Sequence, residues 1–423
     1  MQLSLTTHQS LAPQSQALLT RRLLPLYIAA FSQGLVLWAP IEKVFLRGLG
    51  FDQATLGLMA ACYSSLIPLL DLFSGILADR WSRKGVLMLA SVAAMLNALL
   101  GGLSHDVPTY LVSTLFFGVE VALVSGTYES ILYDTLLEHT GHSRAFEQRL
   151  GQVKLLSSLA LLLSALIGGL VATLLSPRLA YFATIPLVAI SLGGLLTFRE
   201  PHLHRSEVRT TLPSHLRAIS QTLFQRRKTL PIVTVLLATS LLLSVIFEFG
   251  PLWQMALAAP VGLYGLANAT VLSAGGVGSW LSARLTLAKP ATIVGVAVLL
   301  VASGLALVAV RNVVVVILAQ GVLVAGGVGV SMVFTRLLHD SLPSGVRAGA
   351  ASGVGALSSM AFVFFALLFG VVSQHAGVFR AGWMVVGVAL LAGALLVTVA
   401  MGRDFKGSTA VDTPSSSCGF CQN

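Results

Sequence analysis

Four carboxylic acids stand inside long apolar runs of the sequence: Asp71, Glu120, Glu129 and Glu248. An ionisable side chain at the depth of a bilayer costs about 2.5–3.5 kcal/mol on insertion scales, and burial disfavours its charged form. We expect no Lys, Arg or His at that depth to neutralise these acids. A carboxyl group in such a place can take up a proton from water on one side and release it to the other. The alternative is a carboxyl group that stays protonated and hydrogen-bonds a neighbouring helix.

A second group of ionisable residues forms the segment SGILADRWSRKG. Four of the six residues that end at Lys84 are charged, whereas charged residues make up 10% of the chain. Basic residues at a membrane surface would account for Arg80, Arg83 and Lys84. They leave the acid that precedes them, Asp79, and the small residue Gly75 unexplained.

These residues are positioned by apolar segments long enough to cross a bilayer, which takes about 20 residues. Hydrophobic residues make up 56% of the chain, and the mean hydropathy is +0.87. The charged fraction lies well below the ~25% that is usual in soluble proteins. The pattern predicts an all-α membrane protein with twelve transmembrane helices, at residues 23–46, 53–78, 85–103, 107–136, 150–175, 178–198, 230–252, 262–284, 290–310, 313–337, 348–372 and 378–401.

The 26 Lys and Arg residues are divided unequally between the two sides of this arrangement. If the N-terminus is cytosolic, 21 of them fall in cytosolic segments and 5 in outer loops. Cytosolic segments of membrane proteins carry such an excess. We therefore expect a multi-pass protein of the plasma or inner membrane with both termini in the cytosol. The net charge of +10 then reflects topology and contact with lipid headgroups rather than a nucleic-acid partner.

Faint internal repeats divide the chain into two halves. Pro40 and Pro251 occupy matching places, as do Gly169 and Gly370, which favours two homologous six-helix bundles. Between them, PSHLRAISQTLFQRR has the spacing of an amphipathic helix at the membrane surface. The expected organisation is a cytosolic tail at 1–22, a bundle at 23–198, a cytosolic linker at 199–229, a second bundle at 230–401 and a disordered cytosolic tail at 402–423.

The sequence also argues against several kinds of chemistry. Cys62 lies in an apolar run, and Cys418 and Cys421 lie in the tail, where a single CxxC is weak evidence for a metal or redox site. No P-loop pattern occurs, which argues against a pump driven by ATP. His is confined to loops and tails, and no nucleophile constellation is visible. We expect no enzymatic activity, no cofactor and no metal.

The segment GILADRWSRK resembles the signature Gly-x-x-x-Asp-Arg-x-Gly-Arg-Arg of the major facilitator superfamily. The matching positions are Gly75, Asp79, Arg80, Arg83 and Lys84, whereas Ser82 stands where Gly is usual. SGTYESILYDTL and FEFGPLWQ resemble segments of uncharacterised prokaryotic members. The helix-four Arg of many proton antiporters is not found, and SALIGG replaces their G-P-x-x-G-G pattern. The direction of transport stays open.

This resemblance implies two pseudo-symmetric six-helix bundles and a conformational gate at the signature. Asp79 would meet the N-terminus of helix eleven, and Arg83 would pair with an acid at the inner end of helix four, here Asp134. Gly75 would let helices two and eleven pack closely. Such contacts between the bundles would form only when the cytosolic side closes, and they would stabilise the outward-open state.

The resemblance also implies a central cavity lined by helices one, four, seven and ten. Glu120 lies near the middle of helix four, and Glu248 lies toward the outer end of helix seven. The cavity walls would include Gln33, Trp38, Tyr128, Phe247, Trp253 and Phe334. Aromatic walls suit an amphipathic organic compound better than a sugar or a phosphate. Aromatic residues in membrane helices also face lipid or pack against each other, which is the alternative.

The function expected from these observations is secondary active transport of a small amphipathic organic molecule by alternating access. Export coupled to protons is the leading hypothesis, with Glu120, Glu248, Asp71 and Glu129 as the candidate proton carriers. The alternatives are a proton-coupled uptake symporter, a lipid flippase, or a membrane receptor of the same fold that does not transport. The expected partners are the substrate, protons and the lipid bilayer, and the protein is expected to be a monomer.

Overall fold

The computed structural model describes residues 13–140, 145–201, 229–282, 290–342 and 344–401. Within these residues every regular element is a helix. The α-helices are α1 Pro13–Gln33, α2 Glu42–Gly48, α3 Gln53–Arg80, α4 Arg83–Leu103, α5 Val107–Val124, α6 Thr127–Thr140, α7 Phe146–Leu174, α8 Pro177–Thr197, α9 Thr229–Ala256, α10 Val261–Ser282, α11 Pro290–Ala309, α12 Val313–Asp340, α13 Ser344–Ala376 and α14 Val378–Met401. A short 3₁₀-helix, Ala39–Ile41, precedes α2. The predicted all-α membrane architecture is confirmed.

Ten helical segments of the described residues are long and apolar enough to cross a membrane. The other two predicted spans correspond to α10 and to the segment from α1 to α2. The first span is interrupted at residues 34–38, and the fourth is divided between α5 and α6, where Gly126 has a φ of +66°. Helix α1 begins at Pro13, so residues 13–22 are helical. Most of the linker, 202–228, and the tail, 402–423, lie outside the described residues.

Several helices begin at a side chain that caps their free backbone N–H groups. Asp52 accepts a hydrogen bond from the N–H of Thr55, Asp106 from that of Thr109, and Ser82 from that of Gly85. Such caps satisfy donors that have no partner within the helix. Bonds from the two threonines also hold the pKa of the Asp52 and Asp106 carboxyls below its usual value. These caps determine where α3, α4 and α5 begin.

The helices form two bundles with equivalent internal packing. In the first bundle, α4 packs against α5 and α8, and α1 packs against α7 and α8. In the second, α12 packs against α9, α10 and α11, and α14 packs against α9 and α11. The main contacts between the bundles are α3 with α13 and α7 with α10. This arrangement confirms the two pseudo-symmetric bundles predicted from the sequence.

The bundles touch closely at one end of the molecule. We call the end that carries the loop between α3 and α4 the motif end, and the end that carries α2 the distal end. Near the distal end, a Cβ on Gly57 of α3 would lie 3.0 Å from the Cα of Gly370 of α13. A Cβ on Gly169 of α7 would lie 2.9 Å from the Cα of Gly265 of α10. Only glycine permits backbones to approach so closely.

The same four interface helices have open space nearer the motif end. A Cβ built on Gly75, Gly151, Gly276 or Gly355 meets no atom within 4 Å. Leu69 and Phe73 of α3 are exposed there as well. The bundles are therefore in close backbone contact at two places near the distal end, whereas the same four helices have exposed glycines without such contacts toward the motif end.

Candidate functional site

Two of the predicted cavity residues meet beside the carboxyl group of Glu120. Tyr128 Oη donates a hydrogen bond of 3.1 Å to Gln33 Oε1, and the Gln33 side chain lies beside Glu120. The Tyr128 and Gln33 side chains are nearly buried. Glu120 lies in α5, Tyr128 in α6 and Gln33 at the C-terminal end of α1, so three helical segments build the site. The neighbours of Glu120 are an amide and a phenol, which can hydrogen-bond a carboxyl group in either protonation state.

The interruption between α5 and α6 lies next to this site. Ser125 and Gly126 connect the two helices and are exposed. Non-helical backbone at membrane depth is tolerated where it is buried in protein or lines a cavity. Asp71 of α3 is partly buried and lies beside Ser125. A second acid from the sequence analysis therefore borders the same interruption.

Glu129 occupies a different environment. Its carboxylate pairs with Lys154 Nζ at 2.9 Å, and the two side chains are 48% and 65% exposed. The expectation that no basic residue accompanies these acids is wrong here. Lys154 falls within the predicted span 150–175 and, in the structure, lies in α7, which packs against α6.

Glu248 also has a basic partner, which the sequence analysis missed. Lys43 Nζ donates to Glu248 Oε1 at 2.5 Å and to Glu42 Oε2 at 2.6 Å, and Tyr63 Oη donates to Glu248 Oε2 at 2.5 Å. The Lys43 side chain is only 5% exposed. Lys43 lies near the end of the predicted span 23–46, and α2 packs against α8 and α9 and thereby buries it. The adjacent acid and base inside the apolar run 23–46 are the signal that could have revealed this pair.

Tyrosine side chains extend this cluster within the first bundle. Tyr110 Oη donates to Glu42 Oε1 at 2.8 Å and lies 2.9 Å from the hydroxyl group of Tyr181. Trp38 stacks on the Tyr181 ring with centroids 5.3 Å apart and is nearly buried. In this conformation Trp38 therefore packs in the core rather than facing a cavity.

The other three aromatic candidates for the cavity wall differ in exposure. Phe247 is 44% exposed and lines a narrow cavity with Gln254, Asn268 and Gln320. Trp253 and Phe334 are fully buried. Trp253 donates its indole N–H to the Leu307 carbonyl at 2.9 Å, and Phe334 lies in the hydrophobic core of the second bundle. In this conformation neighbouring helices cover both rings.

The signature residues are held mainly within the first bundle. Arg83 forms an ion pair with Asp134 and donates to the Ser130 carbonyl at 3.1 Å. Lys84 Nζ donates to the carbonyls of Leu196 and Phe198, at the end of α8. Arg80 is exposed, and the Asp79 side chain lies outside the described part of the structure. Gly75 borders open space, so the close packing implied for it is not present in this conformation.

Glu200 is a further member of this group that the sequence analysis missed. Its carboxylate accepts hydrogen bonds from Ser82 Oγ at 2.5 Å, from the N–H of Arg83 at 2.6 Å and from the N–H of Lys84 at 3.2 Å. Ser82 thus caps α4 and also binds the first residues of the linker. This dual contact gives a physical role to the position where the sequence departs from the signature.

The described residues contain no group of three or more His, Cys, Asp or Glu side chains that could hold a metal ion. Cys62 is a free thiol, and Cys418 and Cys421 lie outside the described residues.

Comparisons with known proteins bear on the fold as a whole. The family model described as Major Facilitator Superfamily matches residues 23–338. A search of curated proteins found no match. The fold is similar to that of the nucleoside transporter NupG, with a TM-score of 0.75 and 14% identity over 89% of this chain and 99% of that chain. It is also similar to a D-xylose–proton symporter, with a TM-score of 0.65 and 15% identity over 90% of this chain and 97% of that chain. For an inward-facing bacterial homologue of the human lysosomal transporter Spinster, the TM-score is 0.70 and the identity is 11% over 92% of this chain and 98% of that chain.

Proposed function

Because the chain belongs to the major facilitator superfamily, we propose that it is a secondary active transporter that moves a small amphipathic organic molecule by alternating access. The observation that carries this proposal is the unequal packing of the two bundles. They are in close backbone contact near the distal end, whereas glycines of the same four helices toward the motif end border open space. A protein that alternates between two openings must have one end closed at a time, and this structure has the form of one such state.

The orientation in the membrane follows from the basic residues. With the motif end in the cytosol, 21 of the 26 Lys and Arg residues lie on the cytosolic side. Both termini are then cytosolic, and the described conformation is closed to the outside. The location that fits is the plasma or inner membrane, with the protein acting as a monomer and without a nucleic-acid partner.

Glu120 is the favoured carrier of a coupled proton. Its nearest polar neighbours are uncharged, whereas Glu129 pairs with Lys154 and Glu248 pairs with Lys43. A carboxyl group without a basic partner at membrane depth is more stable when protonated and must be hydrated to release its proton. Asp71, beside the interruption between α5 and α6, is the second candidate.

Export is the proposed direction, and the uptake symporter is the second candidate. The helix-four Arg and the full G-P-x-x-G-G pattern of many proton antiporters are missing from the sequence, so the uptake symporter is kept as an alternative to export. The similar structures carry the names of nucleoside and xylose transporters, so one fold accepts different substrates. For this chain, aromatic and amide side chains around Glu120 and Phe247 support an amphipathic substrate.

Flux measurements test the proposal. A thermal-shift screen of purified protein against amphipathic compounds supplies a stabilising ligand, and its radiolabelled form is followed in proteoliposomes with an imposed pH gradient. An exporter moves the ligand against the direction of proton flow, and a symporter moves it with that flow. Folded protein that binds the ligand but moves none of it in any gradient would support a receptor and refute the proposal.

A further inference from the structure

A buried ionic cluster joins the two bundles near the distal end. Its members are the ammonium group of Lys43 and the carboxylates of Glu42 and Glu248, whose side chains are 5%, 16% and 12% exposed. Lys43 bonds both carboxylates, and Tyr63 bonds Glu248. Lys43, Glu42 and Tyr63 belong to the first bundle, and Glu248 belongs to the second. The cluster therefore contains one ion pair within a bundle and one between bundles.

Glu42 is fixed to the first bundle independently of Lys43. Tyr110 donates a hydrogen bond to Glu42, and the Tyr110 hydroxyl in turn contacts that of Tyr181. These tyrosines come from α5 and α8. Glu42 and Lys43 are also consecutive residues of α2 and must move together. If the distal end opens, Lys43 keeps Glu42 as a partner and loses Glu248.

The arrangement solves an energetic problem of an ionic contact between moving parts. A buried charge that loses its partner is strongly destabilising. An isolated lysine at the interface would therefore resist separation of the bundles, or would be left uncompensated after it. With Glu42 as a second partner, the ammonium group of Lys43 remains paired in both conformations, and opening exchanges one of its two carboxylate contacts for water.

We propose that Lys43 is a positioning residue that holds the distal end closed through Glu248, and that Glu42 retains its ammonium group when the bundles separate. The proposal rests on the alternating-access function proposed above. Neutral hydrogen bonds at the same end add to the closure: the N–H of Gln53 donates to Gln374 Oε1 at 3.0 Å, and Ser373 Oγ donates to Gln53 Oε1 at 2.6 Å. Among the described residues, the ion pair adds a charged contact to this closure.

Spin-label distances measure the two ends of the molecule separately. The natural cysteines Cys62, Cys418 and Cys421 are first replaced by Ser. One label pair is placed at the distal end, on His105 of the first bundle and His375 of the second. A second pair is placed at the motif end, on Gln148 and Asp340. All four positions are exposed.

Lys43→Met should increase the population with long distances at the distal end and shorten the distances at the motif end. Glu248→Gln should shift both pairs in the same direction. Lys43→Arg keeps the charge and should retain the parental distances. Glu42→Gln is the matched control, because it removes a carboxylate of the same cluster but leaves the contact between the bundles intact, so the distal end should stay closed.

The combined variant Lys43→Glu with Glu248→Lys keeps the proposal testable if a single variant fails to fold. It reverses the ion pair, and it should restore more of the closed population than either single change. Unchanged distances in folded Lys43→Met, or a shift in Glu42→Gln as large as that in Lys43→Met, would overturn the proposal. The distances are measured independently of flux. If they shift in the variants but the parent protein transports nothing, the proposed transport function is refuted and the role of Lys43 is not. If the parent protein transports but the distances in Lys43→Met do not shift, the role of Lys43 is refuted and the transport function is not.

Discussion

The four intramembrane acids differ in the charge of their neighbours, and that difference is the basis on which Glu120 is proposed as the proton carrier. Glu129 and Glu248 each have a lysine within ion-pair distance, whereas Glu120 lies among uncharged polar groups. The sequence placed all four acids inside apolar runs and grouped Glu120 with Gln33 and Tyr128. It could not show Lys43 and Lys154 beside their acids, because both lysines lie near predicted helix ends, where a shift of a few residues decides burial.

The residue-scale prediction concerns proton coupling at Glu120. Glu120→Gln removes the titrating group at nearly constant volume, so the flux driven by a pH gradient in proteoliposomes should fall to the level of protein-free vesicles, while the thermal midpoint of the purified protein changes little. Glu129→Gln is the matched control, since Glu129 is exposed and paired with Lys154. A Glu120→Gln protein with normal gradient-driven flux would remove Glu120 from the coupling mechanism.

At the scale of the helix, hydrogen bonds of the signature residues connect the N-terminus of α4 to the C-terminus of α8. Ser82 and Glu200 cap the N-terminus of α4, and Lys84 binds carbonyl groups at the C-terminus of α8. The signature itself and its family were recognisable from the sequence, and the family match confirms that reading. Glu200 was not recognisable, because its contact depends on how the last residues after α8 return to the loop.

Ser82→Ala tests this cap. The substitution removes the hydrogen bond to the Gly85 N–H and the one to Glu200, so we expect a loss of about 1 kcal/mol in the free energy of unfolding. Ser65→Ala is the control, because Ser65 is exposed and bonds only the Cys62 carbonyl of its own helix; its effect should stay within about 0.5 kcal/mol. Denaturant unfolding in detergent followed by circular dichroism measures both. Equal effects of the two substitutions would mean that the cap contributes nothing specific.

The close approach of α3 and α13 gives a second prediction at the helix scale. A methyl group in Gly57→Ala would collide with the Ala366 carbonyl oxygen and the Cα of Gly370, so closure of the distal end should become less favourable. Gly151→Ala gains the same helix propensity, about 0.5–1 kcal/mol, but meets open space. The label pair at His105 and His375 should therefore report longer distances in the Gly57 variant only. Identical distance distributions in both variants would show that the distal contact does not control opening.

At the scale of the whole molecule, the sequence predicted the two bundles and the helix count from apolar length and faint repeats. It did not predict which end of the molecule is closed, because both conformations share one hydrophobic pattern and differ only in how the bundles meet. It also placed unbroken helices where the first and fourth spans are interrupted, since apolar composition continues through residues 34–38 and 125–126. Those interruptions lie beside the Glu120 site, where a regular helix would position Tyr128 differently.

In the proposed mechanism, the two ends open alternately and the signature helps to close the motif end. The Asp79 carboxylate would interact with the positive N-terminal end of α13 when that end closes, which is worth about 0.3–1 kcal/mol. Asp79→Asn should therefore change the ratio of the two conformations by about two- to five-fold toward the one open at the motif end.

The most direct test is the measurement of both label pairs in the same two proteins, the cysteine-substituted parent and its Asp79→Asn variant. We predict longer distances between Gln148 and Asp340 in the variant, together with a reciprocal shortening between His105 and His375. A change at the motif end without a change at the distal end, or no change at either end, would contradict alternating access governed by this signature.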